Sequence, residues 1–337
     1  PGELMAAPPK VSRPQPPGDG PPAAAPKPAA KPPRIDPKWS IMDRVGLGLS
    51  WAAGISLCVV AATIVGYMAY KGLQYVTFDM ITQSPEASLD QSSSGGFLDP
   101  ILGTLLLTTI GIVIAVPIGV ATAVWLTEYG RPAPLARAVE SGVEIVAGTP
   151  SIVLAIFGLL IFQQTFMGLF SFTAEGGSVF GRSFITAGVM MSLVAIPMVI
   201  GATREALMAI PRHVREASYA LGKDKATTIR RVLLPSARSG IATGATLGMG
   251  RIAGDTAIVV ILLGASMTIE PESNVPGLGL LRGTGSTLTS YVYNNSPAGE
   301  GNAPEKAYAA AFVLLLIVIL LNSIVSLIGR KNKVQWS

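Results

Sequence analysis

The sequence predicts an all-α integral membrane protein of six helices, and three observations carry that prediction. Hydrophobic residues fill 50% of the 337 positions and charged residues only 13%, with a mean hydropathy of +0.51, whereas soluble domains carry about 25% charge. Six apolar stretches each exceed the roughly 20 residues needed to cross about 30 Å of hydrocarbon. The cations, finally, are segregated into alternate connections between those stretches. A soluble enzyme does not fit this composition. One cysteine, Cys58, and one histidine, His213, leave too few ligands for a disulfide framework or a transition-metal site.

Five of the spans, Val45–Tyr70, Pro100–Thr127, Ile145–Ala174, Ser183–Thr203 and Ala307–Gly329, contain no Asp, Glu, Lys or Arg. The other, Ser239–Ile269, is as apolar except for Arg251 and Asp255, a charge pair retained at real energetic cost. Backbone in hydrocarbon must be satisfied within its own segment, which makes these spans helices. Pro117 and Pro197 fall inside the second and fourth and are read as packing features, since neighbouring helices re-satisfy the backbone there, with a gating hinge as the other reading. Cys58 reads as a small apolar filler of the first.

Orientation follows from the cations. Of 25 Lys and Arg, twenty lie in the N-terminal tail, the second-to-third connection, the fourth-to-fifth connection and the C-terminus, and Arg251 lies within the membrane. Only Lys71, Arg182, Arg282 and Lys306 remain for the other side. This asymmetry places both termini in the cytoplasm. The first forty residues hold 13 of the 26 prolines and read as a disordered or polyproline-like tail, with 41–337 forming the membrane domain. The external connections Leu73–Asp99 and Glu270–Glu305 are long and net acidic, suited either to plain solvation or to contact with an external partner.

The fourth-to-fifth connection, 204–238, is basic but regularly patterned. Val214, Ala217 and Leu221 recur at helical spacing, predicting a short amphipathic helix whose exit is Gly222. A second helical stretch is predicted over Ala226–Leu234, ended by Pro235. Together they form a compact cytoplasmic knob, with His213 beside it in a structural role. The pattern Glu216-Ala217-Ser218, three residues, Gly222, nine residues, Val232-x-Leu234-Pro235 resembles the EAA signature of permeases in binding-protein-dependent ABC importers, with Ser for the second Ala and Val for the usual Ile. The resemblance implies a coupling helix that docks on a separate ATPase subunit, with Arg215, Glu216, Ala217, Gly222, Leu234 and Pro235 in that contact. No phosphate-cradling P-loop is found: Gly222-Lys223 is followed by Asp224. ATP and Mg are therefore assigned to the partner, and the permease carries no cofactor of its own and no catalytic residue.

In the fifth span, stepping 100° per residue from Gly240 places Gly244, Gly248, Arg251 and Asp255 at roughly 40°, 80°, 20° and 60°. One narrow face thus carries all five. Glycines four apart allow close helix approach or leave open space, and Arg251 and Asp255, at i and i+4, are positioned to pair. The arginine fork suits an oxyanion, and a carboxylate beside it would accept a hydrogen bond from an anion that still holds a proton. A structural Arg–Asp bridge is the other reading of the same residues.

Gly250-Arg251-Ile252-Ala253-Gly254-Asp255-Thr256-Ala257 resembles the R-x-x-G-E-T motif of phosphate-specific permeases, the PstA and PstC pair. Gly103-Thr104, Pro117-Ile118-Gly119, Glu128-Tyr129 and Gly148-Thr149-Pro150-Ser151-Ile152-Val153 extend the similarity from about Pro100 to Gly329. Asn322 and the short stretch after the sixth span resemble PstA more than PstC. The resemblance implies a phosphate path using Arg251, Asp255 and Thr256. Asp255 stands where the family usually has Glu, one methylene longer. PstA relatives commonly carry a further arginine ten residues before the proline opening the coupling loop. That position is Gly201 here, and Arg204 is its nearest substitute. The partners implied are a PstC-type permease, two ATPase subunits, an external phosphate-binding protein and membrane lipid, without nucleic acid, in a bacterial plasma membrane. The alternatives are a related importer for another solute and an ATP-independent secondary transporter, which would show interrupted helices around a midplane site.

Overall fold

The computed structural model describes residues 41–86, 95–130, 132–171, 173–174, 178–179, 181–264, 269, 278–297, 299 and 303–330. The tail 1–40, part of both external connections and the cations Lys331 and Lys333 lie outside these residues. Two compact units are distinguished, 1–58 and 59–337. The first contributes residues 41–58 of helix α1 (Ile41–Tyr75), and every one of them, Cys58 included, is exposed. An exposed apolar helix of this length is suited to lipid rather than water.

In the second unit, the C-terminal part of α1 leads into the short α2 (Phe78–Thr82) and then α3 (Leu98–Val124), which continues as a π-helical turn over Trp125–Tyr129. Next come α4 (Ala133–Gly148), α5 (Ser151–Phe162) and α6 (Phe184–Met208), with a two-residue antiparallel ladder, Thr173–Ala174 with Ser178–Val179, between α5 and α6. Pro117 and Pro197 both sit inside unbroken helices, α3 and α6.

Small residues bring α3, α6 and α10 (Arg238–Gly254) together. A Cβ on Gly111 of α3 would lie 2.7 Å from Ile252 Cδ1 of α10, and one on Gly119 would lie 2.7 Å from Val199 Cγ1 of α6. Side chains such as Leu107, Met191, Ile252 and Ile258 fill the space between. Close approach at glycine lets the flanking large side chains interlock, the main source of helix association where no water is expelled.

Among the described residues four helices, Ile41–Tyr75, Leu98–Tyr129, Phe184–Met208 and Pro304–Gly329, are long and apolar enough to cross a membrane, and the bent pair Ala133–Gly148 and Ser151–Phe162 makes a fifth if taken as one span. This corrects the sequence-based count of six uninterrupted spans in two places. The third apolar stretch is not one helix over Ile145–Ala174: α4 and α5 meet at 106°. Pro150 biases Thr149 to extended backbone (φ −79°, ψ 130°) and cannot donate, while Thr149 Oγ1 turns back onto the Ile145 carbonyl at 2.7 Å. The fifth, Ser239–Ile269, is also divided. Helix α10 stops at Gly254, Asp255 is extended (φ −82°, ψ 128°), and a new helix, α11 (Ala257–Leu262), begins after Thr256. Gly followed by Asp is a stop signal followed by a start signal, masked in the sequence by the surrounding hydropathy.

Beyond α11 lie α12 (Leu278–Arg282), α13 (Leu288–Asn295) and α14 (Pro304–Arg330). Tyr291 of α13 packs on Phe97 with centroids 6.0 Å apart, and burial pushes its hydroxyl up to about 12. Gly72 of α1 lies against Phe312 and Tyr308 of α14, and Tyr67 meets the Tyr308 ring edge to face at 6.2 Å.

Candidate functional site

Two regions hold the residues singled out from the sequence. The first is the break between α10 and α11. The stripe of Gly240, Gly244 and Gly248 closes on α6: Gly240 lies against Ala206, Gly244 against Val199 and Ala202, and Gly248 against Ala195. Of the two options that four-residue glycine spacing left, close approach is the one taken. Arg251, next on the stripe and in the last turn of α10, is exposed. A cation there opposes the negative end of the helix dipole.

Asp255 does not share that open face. It is 6% exposed, and its Oδ1 accepts a hydrogen bond from the Ile258 N–H at 3.0 Å. Among the described residues, Arg251 and Asp255 form no ion pair. The i, i+4 pairing inferred from sequence requires one continuous helix, and the break removes it. Thr256, half-buried at the α11 entry, makes no side-chain cap bond. The break is braced from α13: Thr289 Oγ1 donates to the Asp255 carbonyl at 3.4 Å and bonds Thr287 Oγ1 at 2.7 Å. Thr287 and Ser290 form a capping box, and the Leu288 N–H donates to Thr104 Oγ1 of α3 at 2.9 Å.

Arg204 on α6 holds Glu140 of α4 at 2.7 Å, with the two side chains 41% and 34% exposed. Gly201, three residues earlier, has nothing within 4 Å of where a Cβ would stand. Neither Glu140 nor the Thr104–Leu288 bond was legible in the sequence.

The second region is the knob. Helix α7 (Arg212–Ala220) ends as the sequence predicts at Gly222, whose φ is +72°. Its N–H donates to the Tyr219 carbonyl and that of Lys223 to Ser218, the paired bonds of a Schellman stop. Asp224 then opens α8 (Lys225–Thr228), where a hydrogen bond from the Thr227 side chain holds its carboxyl below the usual range. The buried face differs from the expected one. Val214 is buried with Leu207, Ile210, Ile229 and Leu233, but Ala217 and Leu221 are exposed, and Ser218 takes the inner position, its Oγ 2.8 Å from Thr228 Oγ1.

Pro235 also departs from expectation, because it ends nothing. After α8 the backbone runs as a π turn over Ile229–Leu233, then α9 (Leu234–Ser236), and through Ala237 into α10. The wider π turn relieves the clash a proline ring makes with the carbonyl four residues back. Leu234 and Pro235 are half-buried, whereas His213, Glu216, Ala217, Leu221 and Gly222 are exposed.

Arg215 is not a free docking residue. Its Nε and Nη2 both donate to Glu128 Oε1 at 3.2 Å, Nη1 donates to the Ile210 carbonyl at 2.7 Å, and Nη2 also reaches the Leu207 carbonyl at 2.8 Å. Lys225 donates to the Glu128 carbonyl and lies 4.5 Å from the Tyr129 ring centroid.

Long apolar helices closing on one another through glycine, one of them broken at a buried carboxylate, with a short helix pair beyond the hydrophobic segments, define a multi-pass membrane permease. The chain belongs to the family of binding-protein-dependent transport system inner membrane components, whose pattern it matches over residues 115–334. It is 32% identical to the phosphate transport system permease protein PstA 1 of Mycobacterium tuberculosis, over 72% of this chain and 73% of that one. It is 31% identical to PstA of Mycobacterium leprae (75% and 77%) and 29% identical to PstC of Xylella fastidiosa (70% and 72%). The fold is similar to that in the crystal structure of a bacterial alginate ABC transporter in complex with its pentasaccharide-bound periplasmic protein. There the TM-score is 0.57 at 15% identity, over 87% of this chain and 98% of that one. Family membership decides against the secondary-transporter alternative, even though the helix interruption that alternative called for is present at Asp255.

Proposed function

We propose that this chain is one permease half of an ATP-driven importer for inorganic phosphate. The observation that carries the proposal is Arg251: an exposed guanidinium, with no Asp255 carboxylate paired to it, beside a helix break within an otherwise apolar segment. An arginine unpaired among the described residues offers its fork of N–H donors to the oxygens of a tetrahedral anion, and a membrane-level cation is retained for such a use. The names of the PstA and PstC relatives supply the cargo.

In this reading Arg251 receives phosphate, Thr256 adjoins it, and Asp255 acts from beneath by holding the helix break through the Ile258 N–H. Arg204 is the secondary path residue, released from Glu140 when occupied. Both termini lie in the cytoplasm, a PstC-type permease completes the path, and an external phosphate-binding protein delivers the cargo. Two ATPase subunits bind Mg and ATP and engage the knob around Glu216, Ala217 and Gly222, and the permease itself performs no covalent chemistry.

The test is uptake of radiolabelled phosphate by the reconstituted complex with Arg251→Ala. Loss of uptake with binding-protein-stimulated ATP hydrolysis still measurable supports the reading. Undiminished uptake overturns the role of Arg251, and a wild-type complex that moves another solute but not phosphate overturns the cargo.

A further inference from the structure

Both helices of the knob converge on two residues at the end of α3. From α7, Arg215 reaches the Glu128 carboxylate, and from α8, Lys225 reaches the Glu128 carbonyl and the Tyr129 ring. Glu128 is 8% exposed and Arg215 20%, so water screens this pair far less than a surface bridge. The residues stand on the π turn that closes α3, where the Gly130 N–H donates to the Trp125 carbonyl at 2.7 Å. Local π turns are frequent at functional positions.

The other end of α3 is tied to the helix break. Thr104, in the second turn of α3, accepts the Leu288 N–H, and the next residue, Thr289, donates to the carbonyl of Asp255. Between Thr104 and Glu128 the helix is continuous, about 36 Å at 1.5 Å per residue. A rigid element of that length moves at both ends when displaced at one.

We propose that α3 is the rod that connects the coupling knob to the broken helix beside Arg251, with Glu128 and Thr104 as the positioning residues that fasten its two ends. The inference rests on the importer reading and goes beyond it by naming the transmitting element. Glu128 is suited to a separable role because Arg215 keeps its bonds to the Leu207 and Ile210 carbonyls without it. Neutralising Glu128 therefore leaves the knob folded against α6 and removes the charge-assisted half of its link to α3, the Arg215 bridge, while Lys225 keeps the Glu128 carbonyl and the Tyr129 ring.

The experiment measures phosphate taken up and ATP hydrolysed by the reconstituted complex with its binding protein, for Glu128→Gln, Thr104→Val and the double variant. A coupling link of ordinary size predicts that each single variant lowers phosphate moved per ATP by at least about fivefold. The double variant should fall no further than the worse single one, because both cut the same connection. A general loss of folded complex would lower uptake and hydrolysis together and leave their ratio unchanged. That result, or losses that multiply in the double variant, overturns the proposal. Should Glu128→Gln fail to assemble, Thr104→Val, remote from the ATPase, decides alone by the same ratio. Failure of the importer reading is distinguishable, because the wild-type complex would then move no phosphate.

Discussion

Asp255 Oδ1 accepts the Ile258 N–H at 3.0 Å across the break between α10 and α11. The carboxylate that the motif presents as a partner for Arg251 is thus occupied as the cap of a new helix. Asp255 stands one residue before the N-cap Thr256, whose own side chain makes no cap bond, so the carboxylate serves in its place; losing a capping side chain to Ala costs about 1 kcal/mol, whereas Asn supplies the same acceptor. Asp255→Ala should lower the thermal midpoint of the purified complex and Asp255→Asn should leave it near wild type. Equal destabilisation by both would show that charge, not capping, holds the break.

Gly103 and Gly142 should respond oppositely to alanine. A Cβ on Gly103 would collide with the backbone carbonyl of Ser286, which has no freedom to rotate away, while Gly142 of α4 has nothing within 4 Å. Overpacking predicts a loss of about 1–3 kcal/mol for Gly103→Ala. Gly142→Ala should be neutral or stabilising, by up to about 1 kcal/mol. Thermal unfolding of the two variants side by side measures the difference.

Gly222 has open space around it but a φ of +72°, so alanine there suffers only backbone strain, about 1–2 kcal/mol. That strain acts on the turn presenting Leu221, which is 76% exposed. Gly222→Ala should therefore reduce the ATPase recovered with the purified permease, with Gly222→Asn intermediate because Asn tolerates the left-handed conformation. Full recovery of ATPase with the alanine variant would contradict a docking role for the turn.

The Arg204–Glu140 bridge is more than a third exposed on both sides, and such pairs contribute about 0–1 kcal/mol. Glu140→Gln should leave stability within that margin. Arg204→Gln removes the same bridge and also the candidate path cation. A loss of uptake confined to Arg204→Gln would identify a transport role, and equal behaviour of the two variants would leave the arginine as a strut.

Much of the architecture was legible because its signals are local. The spans at α3, α6 and α14 follow from runs of apolar residues, and the end of α7 follows from a single glycine free to adopt positive φ. The divided third and fifth segments were missed because hydropathy records the apolar environment and not helical continuity. Thr149-Pro150 and Gly254-Asp255 carried the break signals, outweighed by the hydrophobic residues around them. The buried face of α7 was misassigned at Ala217 and Leu221, since a short helix offers little periodicity and Ser218 found a buried partner in Thr228.

The sequence by itself determined a membrane-embedded helical permease with a basic, helix-forming connection between its fourth and fifth apolar segments and an arginine in an apolar span, because composition, hydropathy and turn chemistry act within a few residues of one another. Only the tertiary structure decided that Arg251 and Asp255 part company, that Arg215 is held by Glu128 and that Thr104 fastens α13. Those bonds join residues 87 and 184 positions apart. Which donor meets which acceptor at such separations depends on how the helices cross, and that is settled by packing at residues such as Gly111, Gly119 and Gly244 rather than by any pattern along the chain.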